Sequence, residues 1–298
     1  MPSLRSRIIQ RIMRDARDAL LTTEPLEVRR RRFEAAARRA IRVPRNVSVR
    51  SVSAGGVPSD LLEPDEVAPG RAILYLHGGA YVICSPTTHR GLTGRVACTA
   101  RAHVLAIDYR LAPENPFPAA LEDALAAWHW LLEQGYAPEH IAIGGDSAGG
   151  GLTLATALSL RDNHEPLPAA LFLISPWTDL TFSGDSIRAR AHRDPLLSDN
   201  GDGWLINAYA GGNPLTHPYI SPVFGDPRGL PPTLIQVGSE EILYDDSSRL
   251  EAKMNAAGVA NHFEVWDGMW HVFQAFAPYV PEANQAINRI GAFLDQYL

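Results

Sequence analysis

Ile141-Ala142-Ile143-Gly144-Gly145-Asp146-Ser147-Ala148-Gly149-Gly150-Gly151 is the stretch on which the reading of the chain turns. Ile141 and Ile143 form a short β-branched apolar run, the pattern of a buried strand. The run passes directly into Gly145-Asp146-Ser147-Ala148-Gly149, and a small-residue, apolar segment follows from Leu152 to Leu160. Strand, tight turn and helix is the context in which Gly-x-Ser-x-Gly becomes a nucleophile elbow. Such a turn strains the serine backbone and brings strand and helix too close for side chains at Gly145 and Gly149. Ser147 would then stand above the sheet. The amide of Ala148, at a helix start, would be free to bind an oxyanion. The competing reading is a glycine-rich turn with an incidental serine.

Moving outward, apolar strands alternate with helical segments. The strands are Ala72 to Leu76, His103 to Asp108, the elbow strand, Leu171 to Ser175, Thr233 to Val237 and His262 to Trp266. Helical patterns cover Thr88 to Ala100, Ala119 to Gln134, Asp245 to Ala257 and Pro281 to Leu298. This alternation predicts an α/β fold with a mostly parallel sheet and helices on both faces. Val47 to Val52 alternates as a half-exposed strand does, and a second edge strand is expected near Ser59 to Glu63. Pro113, Pro116 and Pro118 are expected to keep their segment extended. Residues 177–232 carry turn signals throughout, with a helical piece near Asp202 to Tyr209, and read as an excursion over the strand ends.

The chain has 298 residues, 46% hydrophobic and 20% charged, a composition that excludes a disordered chain. No apolar run approaches the roughly 18–20 residues of a membrane span. An apolar leader core is missing at the N-terminus, and Cys84 and Cys98 lack metal-type spacing, so a cytoplasmic protein with free thiols is expected. Residues 1–45 hold thirteen arginines against five carboxylates, a surplus of eight positive charges. The net charge of the whole chain is −6, so the remainder carries about −14. Nucleic acid, an anionic membrane and a transit peptide are the alternatives for such a leader. The periodicity of Ile8, Ile9, Ile12, Met13, Leu20 and Leu21 favours two helices, 1–22 and 25–42, packed on the protein with their arginines in water. We therefore expect a cap built from residues 1–45 and part of 177–230, over a catalytic domain of residues 46–298.

An activated serine needs a base, and the base needs an orienting acid. After an elbow serine the chain order is acid, then histidine. His271 follows the last strand, at the carboxyl end where active sites of open α/β sheets lie. The other later histidines are worse placed. His164 ends the helix leaving the elbow, His262 starts a strand, and His192 and His217 lie in the excursion. The acid belongs in the loop after Thr233 to Val237, which holds Glu240, Glu241, Asp245 and Asp246. The two aspartates suit the start of the next helix, but Glu240 and Glu241 are not separable by this reasoning. His77-Gly78-Gly79-Ala80 ends a central strand, and its side-chain-free glycines let backbone amides reach a substrate carbonyl.

Four motifs occur in order: His77-Gly78-Gly79-Ala80, Tyr109-Arg110-Leu111-Ala112-Pro113-Glu114, Gly145-Asp146-Ser147-Ala148-Gly149-Gly150 and Trp270-His271-Val272-Phe273. Together, from about residue 70 to the C-terminus, they resemble the hormone-sensitive-lipase-like family of esterases, the bacterial family IV group. The resemblance implies an α/β-hydrolase fold of about eight strands with a helical cap, and carboxylic-ester hydrolysis with no cofactor or metal. It implies Ser147, Glu241 and His271 as the triad, since the family's acid-x-Leu-x-Asp register falls on Leu243 and Asp245. Most relatives carry aspartate where Glu241 stands, and Asp245 is the fallback. Gly78, Gly79 and Ala148 would form the oxyanion hole. Ala80 replaces a glycine, which would tighten the pocket wall, and Asn115 replaces a more usual histidine without catalytic meaning. Tyr81, Leu205, Ile206 and Tyr209, with some of Ile8 and Ile12, would line the substrate pocket.

The expected substrate is a small-molecule ester of short or medium acyl chain. Another serine acyl hydrolase (lipase, lactonase or amidase) is the alternative, and a non-catalytic ligand-binding relative is a second. Neither nucleic-acid binding nor stable membrane insertion is expected. Pairing of two copies along the edge strand near Phe263 to Trp266 is.

Overall fold

A computed structural model of the chain describes residues 2–20, 24–40, 42–197 and 203–298, without the side chains of 15–20 and 40. Two helices, α1 (Leu4–Leu20) and α2 (Leu26–Ala40), precede the hairpin of β1 (Val47–Ala54) and β2 (Val57–Pro64). Then follow β3 (Ala72–Leu76), α3 (Pro86–Ala100), β4 (His103–Ile107), α4 (Ala119–Glu133), β5 (Ile141–Asp146), α5 (Ala148–Asp162) and β6 (Ala170–Ile174). The short helices α6 (Ser186–Ala189) and α7 (Gly203–Ala210) lie in the excursion. The chain closes with β7 (Thr233–Gly238), α8 (Tyr244–Ala256), β8 (Asn261–Trp266) and α9 (Pro281–Leu294).

The eight strands form one sheet in the order β1-β2-β4-β3-β5-β6-β7-β8. β2 pairs antiparallel with both β1 and β4, and every pairing from β4 to β8 is parallel. Strand alternation divides the core into two layers. Leu74, Leu76, Ile141, Ile143, Leu171 and Leu173 face α4, α5 and α8, packing with Trp128 and Met254. Ile73, Tyr75, Ala142 and Phe172 face α3 and α9, with Val96 and Ile290. Both sheet faces are covered, which is why the central strands read as continuous apolar runs. Each such buried aliphatic side chain contributes about 1.5–3 kcal/mol.

Three expectations are corrected. The strand near Ser59 to Glu63 is internal, because Leu61 and Leu62 enter opposite core layers and β1 covers its outer side. The proline segment after Arg110 folds as turns, with cis bonds at Ala112-Pro113 and Phe117-Pro118. Ile8 and Ile12 are 50% and 62% exposed and take no part in a pocket wall. It is Ile9 and Met13, on the opposite side of α1, that pack against the α9 layer. The expected apolar position Leu21, the side chain of Leu20, and Asp202 at the start of the expected helical piece lie outside the described residues.

Candidate active site

β5 ends at Asp146 and α5 begins at Ala148, leaving Ser147 alone in the turn at φ 53°, ψ −121°. An L-residue rarely adopts that conformation, and it costs about 1–3 kcal/mol. The surroundings hold it in place. Ser147 N–H donates to Ile174 O at 2.9 Å, and Trp177 N–H donates to Ser147 O at 2.9 Å. A Cβ at Gly149 would strike the Leu76 carbonyl, and one at Gly145 would strike both Leu76 O and Gly149 O. Strand β3 and helix α5 touch backbone to backbone there, so the two motif glycines have a steric cause. Ser147 stays partly exposed. Ala148 is the first helical residue, so its N–H has no carbonyl one turn earlier to bind.

The strand register puts the ends of β5, β6, β7 and β8 side by side. Glu241, in the turn after β7, is fully buried. Its Oε2 lies 2.8 Å from Nδ1 of His271, which sits in the loop after β8 and is 5% exposed. Its Oε1 accepts from Gly238 N–H at 2.6 Å and from the Ser175 hydroxyl at 2.8 Å. Since an ionised carboxylate only accepts, Nδ1 carries the proton and Nε2 is left as the basic nitrogen. Burial by itself would lower the His271 pKa. The hydrogen bond and charge of Glu241, then the charges of Asp194 and Asp146, outweigh burial and raise it above the ordinary histidine value.

The other acids are engaged elsewhere. Glu240 forms a two-pronged pair with Arg193, at 2.7 and 2.5 Å. Asp245 accepts from Ser186 N–H at 2.8 Å. Asp246, 1% exposed, accepts from Thr178 and Asp179 N–H at 2.7 and 2.8 Å. The aspartates do begin α8, but they tie that helix to residues 178–186. Geometry thus separates Glu240 from Glu241, which local sequence reasoning left open.

Three residues of this region escaped that reasoning. Ser175, at φ 47° and fully buried, donates to Glu241 and accepts from Val272 N–H at 3.0 Å, so it joins the acid to the histidine loop. Gly238 lies where a Cβ would strike Met269 O, so the acid and histidine loops cross without a side chain between them. Asp194, in the excursion, accepts from Ile242 N–H at 3.0 Å and from Leu196 and Leu197 N–H at 2.9 and 3.0 Å. The contacts that tie these three to the site, Glu241 and Val272 for Ser175, Met269 for Gly238 and Ile242 for Asp194, are distant in the chain, so no local pattern marks them.

The glycine loop after β3 turns sharply. Gly79 O accepts from Val82 and Ile83 N–H, both at 3.0 Å, and Gly79, Ala80 and Tyr81 all have positive φ, 121°, 53° and 62°. Ala80 therefore occupies a conformation that glycine adopts more easily. A Cβ at Gly78 would strike the Asp146 carboxylate. That carboxylate accepts from Tyr75 OH at 2.7 Å and lies 3.2 Å from His89 Nε2. His77 stacks on Tyr109 at 4.2 Å, and Tyr109 OH donates to His77 O at 2.6 Å. The Asn115 side chain donates to Leu111 O, a local turn contact.

Above the loop, the rings of Tyr81 and Tyr209 stack with centroids 3.6 Å apart. Ile206 is buried in the same cluster and Leu205 packs against it. Arg30 of α2 clamps this region, donating to Val82 O and Ala112 O at 2.7 Å each and pairing with Glu114 at 2.8 Å. Among the other histidines, His262 packs edge-on to Phe293 and His217 accepts from Tyr219 N–H.

The profile of a family with the α/β-hydrolase fold matches residues 73–275, more than half of the chain. An acetyl-hydrolase of Streptomyces hygroscopicus is 48% identical over 225 residues, 76% of this chain and 75% of its own. An esterase of Acinetobacter venetianus is 40% identical over 252 residues, covering 83% and 82%. A crystal structure of an esterase from the bacterial hormone-sensitive lipase family superposes with a TM-score of 0.94, at 41% identity, covering 100% of this chain and 99% of that one. EstE5, in crystals soaked with p-nitrophenyl butyrate, superposes with a TM-score of 0.94 at 43% identity, covering 99% of both chains. The shared fold, the co-ordered motifs and this similarity agree: the chain is a carboxylic-ester hydrolase of the α/β-hydrolase superfamily, belonging to its hormone-sensitive-lipase-like esterases.

Proposed function

We propose that Ser147, Glu241 and His271 are the triad of this esterase, acting on short- to medium-chain carboxylic esters. The observation that carries the reading is the 2.8 Å contact between buried Glu241 and His271 Nδ1, at the same carboxyl end of the parallel strands as the strained Ser147. His271 Nε2 takes the Ser147 proton as the oxygen attacks the ester carbonyl. Glu241 holds the tautomer and stabilises the imidazolium. The amides of Gly78, Gly79 and Ala148 bind the oxyanion, each worth about 10²–10³ in turnover. The alcohol leaves with the proton from His271, and water then cleaves the acyl-enzyme by the same route.

Residues 1–45 and part of 177–230 are read as a cap over the catalytic domain of residues 46–298. The Arg30 clamp and the Asp194 tie to the acid loop support this. Tyr81, Leu205, Ile206 and Tyr209 are the proposed pocket wall. The names of the acetyl-hydrolase relative and of the p-nitrophenyl butyrate soak favour short acyl chains. Free Cys84 and Cys98 favour a cytoplasmic setting. No helix among the described residues is long and apolar enough to cross a membrane. β8 is a sheet edge with Val265 44% exposed, a surface along which two copies could pair.

The test is a chain-length series of p-nitrophenyl esters run beside Ser147→Ala. Turnover highest for acetyl to butyryl esters and abolished in the variant is the expected result. A clean preparation of the variant that keeps more than about one per cent of turnover would remove Ser147 from the mechanism.

A further inference from the structure

Helix α1 has two apolar sides, and among the described residues only one of them packs against the fold. Ile9 and Met13 pack inward against the α9 layer. Leu4, Ile8 and Ile12 stand outward, 68%, 50% and 62% exposed. At four-residue spacing these three fall within an arc of about 80° on the helix surface. Exposed arginines border the arc, Arg5 on one side and Arg11, Arg7 and Arg14 on the other. The segment Leu4–Arg14 contains no carboxylate.

An apolar stripe with basic flanks is the pattern of a helix that lies in a lipid–water interface. Charge complementarity selects the kind of surface. The first 45 residues carry a surplus of eight positive charges and the rest of the chain about −14. An anionic surface would attract the arginine-bordered end and repel the remainder, which orients the molecule as well as binding it.

The anchoring of α1 says what would be presented to that surface. Ser6 Oγ donates to Glu282 Oε2 at 2.6 Å, at the start of α9. Pro2 sits against Gly268, three residues before His271. Arg14 donates to Arg193 O at 3.2 Å, beside Asp194, whose carboxylate accepts from Ile242 N–H. The helix is thus fastened to the two chain segments that flank the acid and histidine loops.

We propose that the outer face of α1 is a docking surface for an anionic lipid bilayer, which it contacts reversibly at the interface while the chain remains outside the hydrocarbon core. Binding of this kind scales with buried apolar area and with headgroup charge, so removing either should release the protein. It does not depend on the catalytic assignment, and loss of one leaves the other testable.

The full chain is sedimented with sucrose-loaded vesicles of phosphatidylcholine alone or with about 30% phosphatidylglycerol, at low and high salt. The wild type is expected to sediment with the anionic vesicles at low salt and to be released by high salt. Ile8→Gln/Ile12→Gln and Arg5→Gln/Arg11→Gln should each weaken that binding by roughly tenfold or more. Both should hydrolyse soluble p-nitrophenyl butyrate as the wild type does, which shows that they are folded. Failure of the wild type to bind, equal binding to neutral vesicles, or unchanged binding by the variants would each overturn the proposal. So would a wild-type dimer in sedimentation velocity that the isoleucine variant dissociates, because a second copy would then cover the stripe.

Discussion

The Ser175 hydroxyl lies 2.8 Å from Glu241 Oε1 and accepts at 3.0 Å from the amide of Val272, the residue after His271. One buried side chain therefore ties the acid to the loop that carries the base. Hydrogen bonds to a charged group contribute about 1.5–3 kcal/mol. Ser175→Ala should lower kcat/KM for a soluble ester by roughly tenfold to a hundredfold, with the fold intact by circular dichroism. A positioning role predicts that kcat falls more than KM rises. A fall confined to thermal stability would show Ser175 to be structural only.

Glu241→Gln and Asp245→Asn should differ sharply. Glu241 Oε1 receives two donors, Gly238 N–H and Ser175 Oγ. The amide oxygen of Gln would settle there and turn its NH₂ toward His271 Nδ1. That forces the imidazole proton onto Nε2, the wrong nitrogen for a base. Turnover should drop by about 10³–10⁴, as wrong-tautomer triads do. Asp245→Asn, whose side chain serves Ser186, should stay within about tenfold of wild type. The reverse order would transfer the acid to Asp245.

The same substitution moves the pH profile. His271 must be neutral to act as base, so kcat/KM rises as pH climbs through its pKa. Burial lowers that pKa and the Glu241 hydrogen bond and charge raise it, with a net upward shift. Residual activity of Glu241→Gln should therefore show its acid limb at lower pH than wild type. An acid limb that does not move would mean that another group titrates there.

Ser147→Gly should be inactive and more stable. Glycine accepts φ 53°, ψ −121° without the strain that serine bears. Offset against glycine's entropy cost, relief should amount to about 1 kcal/mol, a rise of about 2 °C in Tm. A Tm at or below that of wild type would show that the elbow stores no strain.

The Tyr75–Asp146–His89 cluster makes a prediction about stability and pH. For His89, burial lowers the pKa, but the charge and hydrogen bond of Asp146 outweigh it and the net shift is upward. For Asp146, burial raises the pKa, but the charge and hydrogen bond of His89 and the Tyr75 hydroxyl bring it below the usual value. The His89 contribution is full below the unfolded histidine pKa and fades as pH climbs through its raised folded value. The Asp146 contribution is full above the unfolded carboxyl pKa and fades as pH falls through its depressed folded value. The stability deficit of Asp146→Asn should then be greatest between about pH 4 and 6.5, at around 3 kcal/mol in urea unfolding. A deficit independent of pH would reduce the pair to neutral hydrogen bonds.

What could be read along the chain was whatever local sterics and periodicity impose. The elbow glycines, the β-branched strand runs and the position of His271 after the last strand needed no distant partner to be recognised. Helices α3, α4, α5, α8 and α9 and strands β3 to β8 fall within a few residues of their expected bounds for that reason. Choosing Glu241 over Glu240 on physical grounds required the fold, because adjacent side chains in a turn differ only in the direction they take. One meets His271 and the other meets Arg193. Ser175, Gly238 and Asp194 acquire meaning only when β6, β7, β8 and the excursion come together. On α1, periodicity marked Ile9 and Met13 as packing positions but also Ile8 and Ile12, which the protein leaves in water, because only tertiary packing decides which side of a helix is covered.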